Sequence, residues 1–229
     1  MKSTYEIIRL KAGSPLMPNY MYVILDRATH EAAIIDPGWD LELITTCFRE
    51  LGAQPSIILL THSHFDHVNM VEPLVERFGS LVYMSAIESE YYQIRPTNLI
   101  QFHDLDAIYL GQTRIQCMIT PGHTAGGSCF LLSDSLFTGD TVFIEGCGVC
   151  NMEGGSPEQM YESIQRIKRV VAPHVRIYPG HSYGKPLGST LGDLEKCNIY
   201  FGLDVKKHFV DFRMRKNQKP YFPIDFREL

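Results

Sequence analysis

A cluster of metal-binding side chains follows directly after a short apolar run in the first third of the chain. The run, residues 56–60, is rich in β-branched residues and predicts a buried strand, so the next loop starts at a strand's carboxyl end, where ligands of α/β sheets gather. That loop holds three imidazoles and one carboxylate: His62, His64, Asp66 and His67. These donors suit zinc, iron or manganese, and surface histidines in a turn explain such clustering less well.

Alternation along this loop predicts which of its side chains point together. If the backbone is extended, His62, His64 and Asp66 face one way and His67 faces the other. One loop would then serve two adjacent metal ions.

Composition narrows the class of protein. The chain has 229 residues, of which 45% are hydrophobic and 21% charged, so we expect one globular domain. Its net charge of −5 argues against a nucleic-acid partner. No stretch is apolar enough to cross a bilayer and the first residues lack a signal-peptide core, so we expect a cytoplasmic protein without a membrane partner. The cysteines are expected to be reduced thiols, with Cys117 and Cys129 in the core.

Apolar periodicity divides the chain into short strands and helices. Strands are predicted at residues 4–11, 20–26, 31–36, 56–60, 81–83, 107–110, 114–119, 128–132, 136–137 and 175–178. Helices are predicted at residues 41–51, 68–78 and 86–92, and from Ser156, where Met160, Ile164, Ile167 and Val171 share one face. The first three strands are interpreted as an antiparallel meander and residues 95–103 as irregular. This order predicts two sheets with helices outside them, an α/β fold.

Three later strand ends each offer one more metal-binding side chain. His123 follows Pro121-Gly122, Asp140 follows Thr138-Gly139, and His181 follows Pro179-Gly180. Singly, each has a structural explanation, because the glycine makes a turn that the polar side chain can cap. Together with the first loop they make seven candidate ligands: His62, His64, Asp66, His67, His123, Asp140 and His181. The histidines without partners at ligand spacing are expected to be surface or structural residues: His30, His103, His174 and His208.

The His-x-His-x-Asp-His signature, followed in order by His123, Asp140 and His181, resembles the metallo-β-lactamase superfamily from about residue 5 to 185. The resemblance implies a four-layer αβ/βα sandwich with the site at one edge between the sheets. It also implies two zinc ions per chain, with iron or manganese as alternatives. The first ion would be held by His62, His64 and His123 and the second by Asp66, His67 and His181. Asp140 would bridge the two ions, and Asp66 and Asp140 would be the catalytic carboxylates.

Within the superfamily, residues 121–124, 138–141 and 146–148 resemble glyoxalase II, whose C-terminal helical domain is longer. Residues 143–151 and 157–163 more closely resemble the zinc-dependent hydrolases of trans-acyltransferase polyketide biosynthesis in bacilli. That resemblance implies hydrolysis of acyl thioesters on acyl carrier protein, for antibiotic biosynthesis, by a hydroxide shared between two metal ions and without a protein nucleophile. It also implies one hydrolase domain over residues 1–229, with a short C-terminal extension at about residues 185–229.

Three other functions remain open: a hydroxyacylglutathione hydrolase, a persulfide dioxygenase with one iron, and a non-catalytic binding module. Cys147-x-x-Cys150 is interpreted as part of a loop at the substrate entrance, with a redox pair or a further metal site as alternatives. The basic segment from residue 206 to 219 is either a solvated helical face or a dock for an acidic carrier protein. Its cations are Lys206, Lys207, Arg213, Arg215, Lys216 and Lys219.

Overall fold

Six strands form the first sheet of the protein. A computed structural model describes residues 3–14, 17–183 and 185–216. In sheet order the strands are β1 (Tyr5–Ser14), β2 (Met17–Asp26), β3 (Ala32–Ile35), β4 (Pro55–Leu59), β5 (Leu81–Ser85) and β6 (Leu99–Phe102). The first three pair antiparallel, as the predicted meander requires, and β3 to β6 pair parallel. Parallel pairing brings the carboxyl ends of β3, β4 and β5 to one edge.

Five strands form the second sheet, in the order β11-β10-β9-β8-β7. They are β7 (Ala107–Leu110), β8 (Thr113–Ile119), β9 (Ser128–Leu131), β10 (Ser135–Gly139) and β11 (Arg176–Pro179). Neighbours pair antiparallel except for β10 and β11, which are parallel. The carboxyl ends of β8, β10 and β11 therefore lie at the same edge of this sheet.

The helices begin and end where local sequence signals place them. They are α1 (Leu41–Leu51), α2 (Phe65–Val68), α3 (Val71–Phe78), α4 (Ala86–Tyr92), α5 (Pro157–Val170), α6 (Leu191–Cys197) and α7 (Lys206–Arg213). Helix α1 ends at Gly52, whose φ of 63° suits a residue without Cβ. Helix α5 begins after Ser156, whose side chain accepts a hydrogen bond from the Gln159 amide. The described residues contain no helix long and apolar enough to span a membrane.

Three buried clusters show that the fold has four layers. Side chains alternate along the strands, so that Ala32 and Ile34 of β3 pack on helices α1 and α3 while Ala33 and Ile35 face the other sheet. The central cluster joins the two sheets, with Phe130 and Phe137 contributed by the second sheet. The third cluster packs helices α5 to α7 on the outer face of the second sheet. The predicted αβ/βα sandwich is confirmed.

Two local predictions differ from the structure. The helix predicted at 68–78 begins only at Val71, because the loop before it bonds to residues 37–39: Met70 donates its amide to the Pro37 carbonyl, and the Asn69 side chain accepts the Trp39 amide. Within residues 95–103, expected to be irregular, strand β6 forms by parallel pairing with β5. That pairing depends on backbone bonds to a distant segment, so the local pattern of side chains does not reveal it.

Candidate metal centre

All seven candidate ligands meet at the edge where the carboxyl ends of the two sheets lie together. The loop after β4 supplies His62 and His64, and the short helix α2 supplies Asp66 and His67. The second sheet supplies the others from the ends of three strands: His123 after β8, Asp140 after β10 and His181 after β11. Six of the seven are buried, and His64 is partly exposed. Solvent therefore reaches the group from the side of His64.

A first set consists of His62, His64 and His123, whose ligand nitrogens lie within 4.8 Å of one another. The Nδ1 atoms of His62 and His123 have partners outside the set: His62 Nδ1 lies 3.0 Å from Thr61 Oγ1, and His123 Nδ1 lies 2.7 Å from the Val149 carbonyl oxygen. Burial and neighbouring histidines lower the pKa of His62 and His123 well below 6.5 and the pKa of His64 to about 4. All three are therefore neutral at pH 7, the form that binds metal.

A second set consists of Asp66, His67 and His181, again with ligand atoms within 4.8 Å. Asp66 Oδ2 lies 3.3 Å from His181 Nε2 and 3.6 Å from His67 Nε2. His181 Nδ1 lies 3.0 Å from the Pro18 carbonyl oxygen, which fixes the ring so that Nε2 faces the carboxylate. Burial acts to raise the pKa of Asp66. The neighbouring His67 and His181 and a hydrogen bond from Asn19 outweigh this effect and hold the pKa of Asp66 well below its usual range.

Asp140 lies between the two sets. Its Oδ1 is 3.5 Å from His67 Nε2, while its Oδ2 is 3.6 Å from His123 Nε2 and 3.5 Å from His181 Nε2. A carboxylate in this position can offer one oxygen to each of two ions. Burial raises the pKa of Asp140, and a nearby cation would reverse that effect.

Unpartnered polar atoms show that the group fits a metal. Among the described residues, four atoms of the centre are buried without a hydrogen-bond partner: Nε2 of His62, His67 and His181 and Oδ1 of Asp140. Leaving a buried polar atom unsatisfied costs about 1–3 kcal/mol. A cation that receives their lone pairs would remove this cost, and imidazole with carboxylate is a donor set that zinc accepts.

Asp36 is a buried residue of the centre that the sequence interpretation assigned only to a turn. It follows β3 and accepts hydrogen bonds from the Thr61 amide at 2.8 Å and the Thr61 hydroxyl at 2.6 Å. Its Oδ2 also lies 3.1 Å from His67 Nδ1, and its φ is 50°, in the left-handed region. An aspartate directly after a strand at this sheet edge was the available signal.

Glu88 is a second buried carboxylate that sequence reasoning missed, and no local signal in α4 reveals it. It accepts the Ser63 amide at 2.9 Å, the Ser63 hydroxyl at 2.7 Å and the Gly126 amide at 2.9 Å. Burial raises its pKa. Glu88 therefore joins the loop of His62 and His64 to the loop after His123.

The predicted grouping of the first loop is wrong for Asp66. His62 and His64 share a set as alternation predicts, but Asp66 lies with His67 instead. The reason is that residues 65–68 form a helical turn, in which the His67 amide bonds to the His64 carbonyl oxygen. Successive side chains of a helix do not alternate between opposite faces.

The Cys-x-x-Cys thiols face the protein core. Cys147 and Cys150 are 6% and 3% exposed and pack with the cluster under helices α5 to α7. Among the described residues, no cysteine joins a group of metal-binding side chains. The same loop contacts the centre through its backbone, because the Val149 carbonyl oxygen faces His123. Its role in shaping the entrance stays a prediction.

The basic segment is only partly available to a partner. Arg213 is 7% exposed and donates to the Tyr200 hydroxyl at 2.9 Å, so the expectation that it docks a carrier protein is wrong. Helix α7 turns this residue inward, where its guanidinium lies over the ring of Tyr200 and near Cys147, whereas Lys206 and Lys207 pair with Glu162 and Asp211 at the surface. Lys219 lies outside the described residues.

Known proteins are similar to this chain in sequence and in fold. The chain is 52% identical to the probable polyketide biosynthesis zinc-dependent hydrolase PksB of Bacillus subtilis, covering 99% of this chain and 100% of that protein. It is 51% identical to the similarly named BaeB of Bacillus velezensis, covering 97% and 99%. The crystal structure of ETHE1 from Myxococcus xanthus matches with a TM-score of 0.81 at 25% identity, covering 93% of this chain and 92% of that one. Residues 14–181 match the sequence profile of the Metallo-beta-lactamase superfamily. Together with the sandwich and the centre at its edge, these matches show that the chain belongs to the metallo-beta-lactamase superfamily.

Proposed function

We propose that this protein is a zinc-dependent hydrolase of polyketide biosynthesis that cleaves acyl thioesters on acyl carrier protein. The observation that carries the proposal is the pair of three-ligand sets with Asp140 between them. The names of its relatives support a zinc-dependent hydrolase of this pathway. Two metal ions would be held by the seven residues His62, His64, Asp66, His67, His123, Asp140 and His181.

The donor atoms determine what each residue does. Zinc held by these residues would lower the pKa of a water to about 7 and would polarise a carbonyl oxygen. Asp66 stays ionised because its pKa lies well below the usual range, so it can accept a hydrogen bond from the attacking water and orient it. Asp140 reaches both sets and keeps them at a fixed separation. Because the leaving thiolate is a stable anion, the centre needs no strong general acid.

The substrate class follows from the chemistry of the pathway. Polyketide intermediates are carried as thioesters, so a hydrolase that acts on them meets a thioester carbonyl. The carbonyl would approach from the side of His64, the one partly exposed member of the seven, beside the exposed ring of Phe65. The acidic carrier would meet the exposed cations of the basic segment, among them Arg215 and Lys216.

A panel of thioesters tests this function. Protein of known metal content is given the same acyl group on acyl carrier protein, on a short pantetheine-like thiol and on glutathione. We expect two zinc ions per chain and a preference for the carrier-bound substrate. The Asp140→Ala variant should lose at least about 100-fold in kcat/KM, because it lacks the bridging carboxylate. The matched control, His174→Ala, changes an exposed histidine outside the centre and should retain full activity.

Each contrary result identifies a different function. A strong preference for glutathione would indicate a hydroxyacylglutathione hydrolase. Bound iron with oxygen uptake and no thioester cleavage would indicate a persulfide dioxygenase, and carrier binding by metal-free protein without any turnover would indicate a binding module. Charge reversal of Arg215 and Lys216 should weaken only the carrier-bound substrate; equal losses on small thioesters would refute the docking role.

A further inference from the structure

The amino end of β2 lies against the second metal set. The Tyr20 amide donates to the Gly180 carbonyl oxygen at 2.8 Å, and Asn19 forms an antiparallel bridge with His181. The Asn19 side chain is 2% exposed and reaches Asp66. Its Nδ2 lies 2.9 Å from Asp66 Oδ2 and 3.1 Å from the Asp66 carbonyl oxygen.

A tryptophan fixes the orientation of the Asn19 amide. The indole Nε1 of Trp39 donates to Asn19 Oδ1 at 2.9 Å. Because an indole N–H can only donate, the oxygen of Asn19 must face Trp39 and its NH₂ group must face Asp66. The oxygen that receives this NH₂ group, Asp66 Oδ2, is also the one facing His67 and His181.

Backbone strain occurs at the two residues that support the second set. Asp36 and Trp39 have φ values of 50° and 65°, both in the left-handed region. Such conformations cost about 1 kcal/mol or more in non-glycine residues and persist where the surroundings impose them. The side chain of Asp36 holds His67, and the side chain of Trp39 holds Asn19.

We propose that Asn19, oriented by Trp39, is a positioning residue that aims Asp66 Oδ2 at the second metal ion. The proposal rests on the metal-binding role of Asp66, His67 and His181 and is independent of the substrate. A residue that orients a ligand changes metal affinity by about 10–100-fold. Among the described residues, the side chain of Asn19 has its hydrogen bonds with Asp66 and Trp39 and none with His62, His64 or His123, so its effect should be confined to one of the two ions.

Titration of metal-free protein with Co²⁺ or Zn²⁺ tests the proposal, followed by cobalt absorption and by fluorescence. Asn19→Ala and Asn19→Asp should bind the second equivalent about 10–100-fold more weakly and the first equivalent normally. The aspartate variant can still accept the indole N–H but repels Asp66. Trp39 is the single tryptophan of the chain, so in the Zn²⁺ titration its fluorescence should change with the second equivalent.

The matched control is Asn69→Ala. The Asn69 side chain also bonds to Trp39, accepting a hydrogen bond from its backbone amide at 2.8 Å. The variant therefore tests whether loosening the loop of Trp39 is by itself enough to weaken metal binding. It should keep wild-type affinity for both equivalents. The Trp39→Phe variant keeps an aromatic ring but lets the Asn19 amide turn over. Its affinity for the second equivalent should lie between those of Asn19→Ala and the wild type.

The outcomes separate this proposal from the proposed function. Asn19 variants that bind both equivalents normally, or that lose both equally, would overturn the positioning role. Circular dichroism shows whether Asn19→Ala folds. If it does not, the Trp39→Phe variant tests the role instead. An unchanged affinity of that variant for the second equivalent would overturn the positioning role as well. Wild-type protein that binds fewer than two equivalents would contradict the two-metal function itself.

Discussion

His67 Nδ1 lies 3.1 Å from Asp36 Oδ2, and both side chains are buried. The contact places the Nδ1 proton toward Asp36, so that Nε2 faces Asp66 and Asp140. The other carboxylate oxygen of Asp36 accepts the Thr61 amide, one residue before His62. Asp36 therefore holds two parts of the ligand loop at once.

Replacing Asp36 by Asn should weaken zinc binding at the second set by about 10–100-fold, because the ring of His67 loses its charged acceptor. Competition with a chromophoric chelator measures the affinity of each equivalent. The control is Asp204→Asn, which changes a 77% exposed carboxylate paired with Lys168. Unchanged affinity in Asp36→Asn would show that His67 needs no such partner.

The two metal sets should differ in proton release. Burial acts to lower the pKa of His67, but Asp66, Asp140 and Asp36 outweigh it and raise the pKa to about 10; that of His181 is also raised. A zinc ion bound by the second set would therefore displace about one to two protons at pH 7, whereas one bound by the neutral first set would displace none. Calorimetry in buffers of different ionisation enthalpy measures both numbers.

The same pKa shift gives metal-free protein a pH-dependent stability. A histidine with a raised pKa stabilises the fold fully below its ordinary value of 6.5, and this contribution disappears as the pH rises through about 10. The free energy of unfolding of metal-free protein, measured in urea, should therefore fall between pH 6.5 and 10 as the contribution of His67 is lost. In Asp36→Asn protein this fall should be smaller, and an equal fall would contradict the assignment to His67.

Gly180 should be intolerant of a side chain. A Cβ atom there would lie 2.6 Å from His67 Cε1 and 2.8 Å from Asp140 Oδ1. We expect Gly180→Ala to lose about tenfold or more in zinc affinity at the second set, because both ligands must move. Gly202→Ala is the control, since its nearest atom is 3.6 Å away. Equal zinc affinity of the two variants, measured by competition with a chelator, would contradict this account.

One thiol should react quickly with a disulfide reagent in the native protein. Cys197 is exposed, whereas Cys47, Cys117, Cys129, Cys147 and Cys150 are buried. Burial raises the pKa of Cys117 to about 12 and the pKa of Cys129 and Cys150 to about 11, which leaves little thiolate at neutral pH. Cys197→Ser should abolish the fast phase, and a second fast thiol would show that the Cys147 loop opens.

The positions of the seven candidate ligands could be predicted because each follows an apolar strand and has a side chain that binds metal. His123 and His181 also follow a Pro-Gly turn, which marks the strand end in the sequence itself. The sandwich as a whole was implied by the resemblance, since strand order alone does not say which strands pair.

The supporting residues could not be predicted in the same way. Asp36 lies in an Asp-Pro-Gly turn, and its partner His67 is 31 positions away. Asn19 lies in the meander and Glu88 lies in a helix, where an isolated polar residue has many ordinary uses. Only the paired sheets bring these residues to the ligand loops. The extent of the C-terminal extension stays a prediction.

The origin of the ligands bears on how long the folded protein survives. Each set draws on both sheets: His62 and His64 meet His123, and Asp66 and His67 meet His181. A bound ion therefore ties together two halves of the sandwich whose strands come from separate halves of the chain. Because the ligands of each set are brought together only when the two sheets pack, we expect zinc to slow unfolding more than it speeds folding. Loss of zinc should then shorten the lifetime of the folded protein.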